Sequence, residues 1–114
     1  MNNKLYGKTG EEIAQSYLEQ KKYKLLAANF SCKGGELDLV MRDKKTVVFV
    51  EVKRRFSDAY GTPAEAVTRT KQRRIALAAQ VYLLQNDLTD EPVRFDIVEV
   101  YGERVNHIES AFEV

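Results

Sequence analysis

The stretch Gly35-Glu36-Leu37-Asp38-Leu39-Val40, a short polar turn, and Val47-Val48-Phe49-Val50-Glu51-Val52-Lys53 constrain the fold most tightly. Both arms are rich in β-branched and apolar residues, and Arg42-Asp43-Lys44-Lys45 between them is polar, so the pair predicts a β-hairpin. A turn centred between Lys44 and Lys45 places Asp38 directly opposite Glu51, on one face of the sheet. Lys53, two residues on, shares that face, while Val48, Val50 and Val52 form a wholly apolar opposite face. Two like charges directly opposed destabilise a sheet. A hard divalent cation between the carboxylates reverses that sign, and the lysine can orient a water or offset phosphate charge. The alternative is an exposed trio in which Lys53 neutralises the acids. The continuous apolar flanks point instead to burial on at least one side.

The 114 residues suffice for one domain with a core, so a single domain over residues 1–114 is expected. With 44% apolar and 31% charged residues, the composition is that of a soluble globular chain. No stretch approaches the ~20 apolar residues of a membrane span, and residues 1–7 lack an apolar signal core. A lone cysteine, Cys32, excludes an internal disulfide and fits a reducing cytoplasm. The lone His107 excludes a histidine metal site, and no Gly-rich phosphate loop is present. Net charge is +1, so global charge does not announce a nucleic-acid binder. Lys53-Arg54-Arg55 and the run Arg69 to Arg74 are nevertheless locally basic.

The segment from about Gly7 to Lys21 is helical in pattern, with Ile13, Ala14, Tyr17 and Leu18 as its apolar stripe. Thr9 and Glu12 have capping-box spacing, so the helix begins there or, alternatively, near Lys4. Glu11 falls on the core-facing side, where a carboxylate is costly unless paired or liganded. That makes it a candidate third acid, or else a boundary residue with its head in water. Gly7 and Gly10 would let another element approach that side. Tyr23 to Phe30 predicts a first strand, turned by Cys32-Lys33-Gly34-Gly35 into the hairpin. Arg54 to Gly61 reads as irregular, and Thr62-Pro63-Ala64-Glu65 as the start of a short helical turn.

A second long helix runs from Thr68 or Thr70 to Gln85, with Ile75, Ala78, Ala79, Tyr82 and Leu83 facing the core. Its first turns carry Arg69, Lys71, Arg73 and Arg74. Cations there oppose the helix dipole by about 0.3–1 kcal/mol each, and phosphate contact is the obvious compensating use. Lys71 and Gln72 lie nearest the apolar face and could turn toward the hairpin's acids. Val93 to Tyr101 alternates with period two and predicts a strand, with Asp96 a mainly structural acid. Val105 to Phe112 predicts a last short strand or edge whose acids and His107 face solvent.

The element order is helix, three strands, helix, strand: an α/β fold with helices packed on a mixed sheet. Asp38 followed by Glu51-Val52-Lys53 resembles the Asp…Glu-X-Lys signature of the restriction-endonuclease-like PD-(D/E)XK superfamily, whose common core is αβββαβ. Glu11 resembles the N-terminal glutamate of archaeal Holliday-junction resolvases in that superfamily. Gly7-Lys8-Thr9-Gly10-Glu11, the two hairpin arms, Pro63-Ala64-Glu65-Ala66-Val67, Lys71-Gln72 and Arg94-Phe95-Asp96 together resemble the small YraN-type bacterial proteins, a family of predicted endonucleases. Leu37 stands where the superfamily's name has proline.

The resemblance implies hydrolysis of nucleic-acid phosphodiester bonds, most readily in DNA and branched DNA. Asp38, Glu51 and the Val52 carbonyl would ligate Mg²⁺ or Mn²⁺. Lys53 would position the attacking water, Glu11 would complete the acidic cluster, and Gln72 would assist from the phosphate side. Arg54, Arg55, Arg69, Lys71, Arg73 and Arg74 would hold flanking phosphates without reading sequence. A homodimer or an accessory protein is compatible with this reading. Its rivals are an idle nucleic-acid-binding module with a nuclease-like fold, and a structural subunit pairing through an exposed strand edge.

Overall fold

Thr9 and Glu12 close a reciprocal capping box, and helix α1 (Gly10–Gln20) starts from it. The chain is described by a computed structural model over residues 9–55 and 67–113. Gly7, the alternative helix start near Lys4 and the turn at residues 62–65 lie outside those residues. Strands β1 (Lys24–Cys32), β2 (Gly35–Asp43) and β3 (Thr46–Arg55) follow α1. Helix α2 (Arg69–Gln85) then leads to β4 (Val93–Tyr101) and β5 (Arg104–Ile108). The five strands form one sheet in sequence order. All neighbours are antiparallel except β3 and β4, which run parallel across the α2 connection. This mixed sheet flanked by helices is compatible with the expected αβββαβ core, with β5 added at the edge.

Each helix covers one face, and strand alternation divides the core accordingly. Val47, Phe49, Phe95 and Ile97 pack with Ile75, Ala78, Ala79 and Tyr82 of α2. Val48, Val50, Val98 and Val100 pack with Ala14 and Leu18 of α1. Burying both faces removes the period-two exposure expected of β4: Phe95, Asp96, Ile97 and Val98 are consecutively buried. Arg54 and Arg55 are strand residues rather than the start of an irregular segment. Gly10 does lie against Val52 and Arg54, but a Cβ there would make only ordinary contacts, so glycine is not required. The tight approach is at Gly35, where a Cβ would overlap the Arg74 carbonyl oxygen of α2.

The end of the sheet around the α1 C-terminus is held by a buried polar network. Asp96, fully buried, accepts from Arg94 Nε at 2.9 Å, Arg94 Nη2 at 3.0 Å and the Ser110 N–H at 3.0 Å. Arg94 also reaches Asp43 and the Tyr23 hydroxyl. The expectation that His107 faces solvent is overturned. Its side chain is 1% exposed, with Nε2 2.7 Å from Asp96 Oδ2 and Nδ1 3.0 Å from Lys21 Nζ. An ammonium only donates and a carboxylate only accepts, so the tautomer that serves both contacts has Nε2–H toward Asp96 and Nδ1 accepting from Lys21. The alternation β5 makes with β4 points it inward, which a lone histidine in a polar stretch does not announce. Burial works to raise the Asp96 pKa, but the bonds from His107, Arg94 and Ser110 outweigh it and hold it below its ordinary value.

Two outcomes follow for stability. A depressed carboxylate pKa stabilises above the unfolded-state value, and that contribution is lost as pH falls through the folded value. Asp96→Ala should therefore cost on the order of 3–5 kcal/mol at pH 7, because Arg94, His107 and the Ser110 N–H lose their shared buried acceptor. The gap to the parent should narrow at acid pH, and urea melts at both pH values would check it. Gly35→Ala should lower the melting temperature through a clash equivalent to about 1–3 kcal/mol, measurable by thermal circular dichroism.

Candidate functional site

The hairpin has the expected register, with Leu39 paired to Val50, Met41 to Val48 and Asp43 to Thr46. The β2–β3 ladder stops at Leu39–Val50, while β2 stays with β1 as far as Gly35 and β3 stays with β4 as far as Arg55. The two strands therefore part like a fork, and Asp38 and Glu51 are the first residues past its closed end. The alternation of β2 also breaks there. Leu37 belongs to the α2-side core and Leu39 to the α1-side core. Between the pairs Phe30–Leu37 and Ala28–Leu39 stands Asn29 with φ 54°, a left-handed conformation that asparagine tolerates.

Asp38 closes the fork by side chain. Its Oδ2 accepts the Val52 N–H at 2.8 Å, replacing the carbonyl a regular ladder would supply. Glu51, 5% exposed, points to the α2 face, where Lys71 Nζ lies at 2.7 Å and Lys53 Nζ at 3.8 Å. Burial, then the Asp38 charge, push the Glu51 pKa up against the pull of Lys71, to about 7. Glu11 comes from the first turn of α1. Burial and the charge of Asp38 raise its pKa, and a hydrogen bond with Asn29 opposes the rise. The bond with Glu51 raises the Lys71 pKa, so this ammonium stays charged.

The structure thus brings Glu11, Asp38, Glu51, Lys53 and Lys71 to one end of the sheet. The remaining residues named from sequence are placed differently. Gln72 donates Nε2 to the Val67 carbonyl at 3.0 Å and is engaged at its own helix start. Arg55 is bonded to Glu99 at 2.6 Å on the sheet. Arg74 donates Nε to the Gly34 carbonyl at 3.3 Å, beside the β1–β2 turn. Arg54 is exposed on the other face, and Arg69 and Arg73 are exposed on α2. Asn29 and Glu36, whose charge acts on both Glu11 and Lys71, were not singled out from sequence. The glycine turn at Gly34 was the available signal, because it fixes which β1 residue faces Asp38.

The donor set is hard: two carboxylates and the carbonyl of Val52, a residue whose N–H is held by Asp38. Among the described residues no three His, Cys, Asp or Glu side chains converge on one point. The set nonetheless fits Mg²⁺, which is commonly held by one or two carboxylates with waters completing its shell. Mutual repulsion of Asp38 and Glu51 is the physical reason a divalent ion would be favoured, and Lys71 supplies the countercharge without one.

Fold and cluster define a mixed α/β domain with an acid–lysine centre at a strand fork. The chain belongs to the uncharacterised protein family UPF0102, whose model matches residues 10–100. A UPF0102 protein of Geobacter metallireducens is 47% identical over 100% of this chain and 97% of its own length. One of Caldanaerobacter subterraneus subsp. tengcongensis is 47% identical, covering 98% of each chain. One of Clostridioides difficile is 41% identical over 98% of this chain and 100% of its own.

A carboxyl whose pKa rises on folding binds its proton more tightly in the folded state. Its contribution therefore falls as pH rises from the unfolded value near 4.3 toward about 7. Glu51→Gln should raise stability at pH 8 by on the order of 1–2 kcal/mol and change it little at pH 5. Millimolar Mg²⁺ should raise the melting temperature of the parent at pH 8 and leave Glu51→Gln unmoved. Equal shifts in both proteins would rule out Glu51 as a ligand.

Proposed function

We propose that this protein is a metal-dependent endonuclease hydrolysing nucleic-acid phosphodiester bonds, with DNA, including branched DNA, as its substrate. The observation that carries the reading is the fork. Asp38 and Glu51 are held side by side past the last ladder pair, with two ammonium groups over Glu51. The Asp38…Glu51-Val52-Lys53 spacing, which resembles the PD-(D/E)XK signature and the YraN-type proteins, supports it. A phosphodiester is anionic and repels nucleophiles, so the site must supply positive charge to the phosphate and orient a water. Mg²⁺ or Mn²⁺, held by Asp38, Glu51 and the Val52 carbonyl, would supply Lewis acidity when bound. Lys53, one quarter exposed, reaches both Glu51 and the opening. There it positions the attacking water and stabilises charge developing on the phosphate. Glu11 adds a third carboxylate next to Asp38. Arg69 and Arg73 line the outer face of α2, where they can hold flanking phosphates.

A second reading is favoured by one contact. The Lys71–Glu51 pair neutralises the buried acid by itself, as an idle nucleic-acid-binding module would require. Labelled duplex, single-stranded, flapped and four-way-junction DNA, together with RNA, should be incubated with Mg²⁺ or Mn²⁺ and either the parent or Lys53→Ala. The nuclease reading expects metal-dependent cleavage that falls by roughly 10²–10³ in the variant. Binding without cleavage in both proteins would establish the idle module instead.

A further inference from the structure

The face of the sheet that carries Glu51 and Lys53 continues beyond the acids. Lys53 pairs with Glu99 across the parallel ladder, and Arg55 with Tyr101. On the other side of β4, Glu99 pairs with Asn106 and Tyr101 with Arg104. Paired residues share a face, so Arg55, Glu99, Tyr101, Arg104 and Asn106 lie on the same face as Lys53. Together with Val105 they line a cavity of about 300 Å³. Arg55 is bonded to Glu99, which neutralises the acid, and the guanidinium of Arg104 lies 5.3 Å from the centre of the Tyr101 ring. Arg104 is exposed and Tyr101 is half-buried, so the cavity presents an aromatic ring, an exposed cation and an amide at its mouth. Two residues of strand, about 7 Å, separate Lys53 from Arg55. Tyr101 stands beside Arg55 on the next strand, so the cavity adjoins Lys53 along one face.

We propose that this cavity takes the nucleotide adjoining the cleaved bond, its base stacked on Tyr101 and its phosphate held by Arg104. The inference rests on the nuclease reading and narrows its substrate. A base can stack on a side chain only when it is out of the duplex. The preferred substrate therefore carries unpaired nucleotides beside the scissile phosphate, as in single strands, flaps and junctions, rather than continuous duplex. Asn106 offers donors and an acceptor to a base edge without selecting one base, since stacking is tolerant of sequence.

The test is fluorescence anisotropy with a labelled single-stranded oligonucleotide and a blunt duplex of the same sequence, in Ca²⁺, run beside Mg²⁺ cleavage of both. Tyr101→Ala should weaken single-strand binding about 10-fold and change duplex binding less than about twofold. Tyr101→Phe should retain parental binding, and the exposed Arg104→Ala should reproduce the selective loss more weakly with the fold intact. Variants that lose both substrates equally, or neither, while the parent binds and cuts, would remove the pocket and leave the nuclease standing. A parent protein that neither binds nor cuts any nucleic acid would overturn both.

Discussion

One hydrogen bond decides the shape of the candidate site: the Val52 N–H donating to the Asp38 carboxylate. Past Leu39–Val50 the two central strands have no further ladder, and a bare Val52 amide would lie unsatisfied at their parting. The Asp38 side chain satisfies it and in doing so is fixed beside Glu51. The like-charge contact is then unavoidable. It is offset from the α2 side by Lys71 and Lys53, and the price is visible in the raised Glu51 pKa. An acid held in this way near neutrality is a common mark of chemistry, and structural ion pairs can produce the same mark.

The opposite face of the sheet, where Asp96 pairs with Val50, is organised by a different principle. Asp96 is as buried as any residue in the chain, yet its oxygens meet arginine, histidine and a backbone amide, so its burial is compensated. This network links α1, the chain entering β1, and strands β2, β4 and β5, and it fixes the sheet that the fork opens from. The two buried acids thus divide the labour. Asp96 is fully satisfied and rigid. Glu51 is partnered mainly by flexible lysine heads, one of them 43% exposed, that can move aside.

Much of this was legible in the sequence because it is local. Asp38 and Glu51 lie in one hairpin whose turn is polar and whose arms are apolar, so register followed from pattern alone. Glu11 followed from helical periodicity. What was missed depends on contacts between distant segments. His107 is drawn inward only because β5 pairs with β4 and brings it over Asp96. Asn29 and Glu36 enter the site through the β1–β2 pairing, whose irregularities at Leu25/Ala27 and at Asn29 the alternation pattern does not announce. Gln72 was expected to turn toward the hairpin's acids, but it lies beside Arg69 and Arg73 and its amide closes on the nearby Val67 carbonyl. Arg55 was expected to hold flanking phosphates, whereas packing commits it to Glu99; Lys71 turns inward to Glu51, as its place beside the apolar face allowed.

The fork also has a mechanical side. Strands β1–β2 and β3–β4–β5 are two plates welded along a seam from Asp43–Thr46 to Leu39–Val50 and unjoined by ladder bonds below it. Across the open part, one carboxylate–amide link acts as the spacer. A group seated there would press against that link and against the closed end of the seam. Substitutions at the seam would then change how far the plates part at the fork without touching an acid.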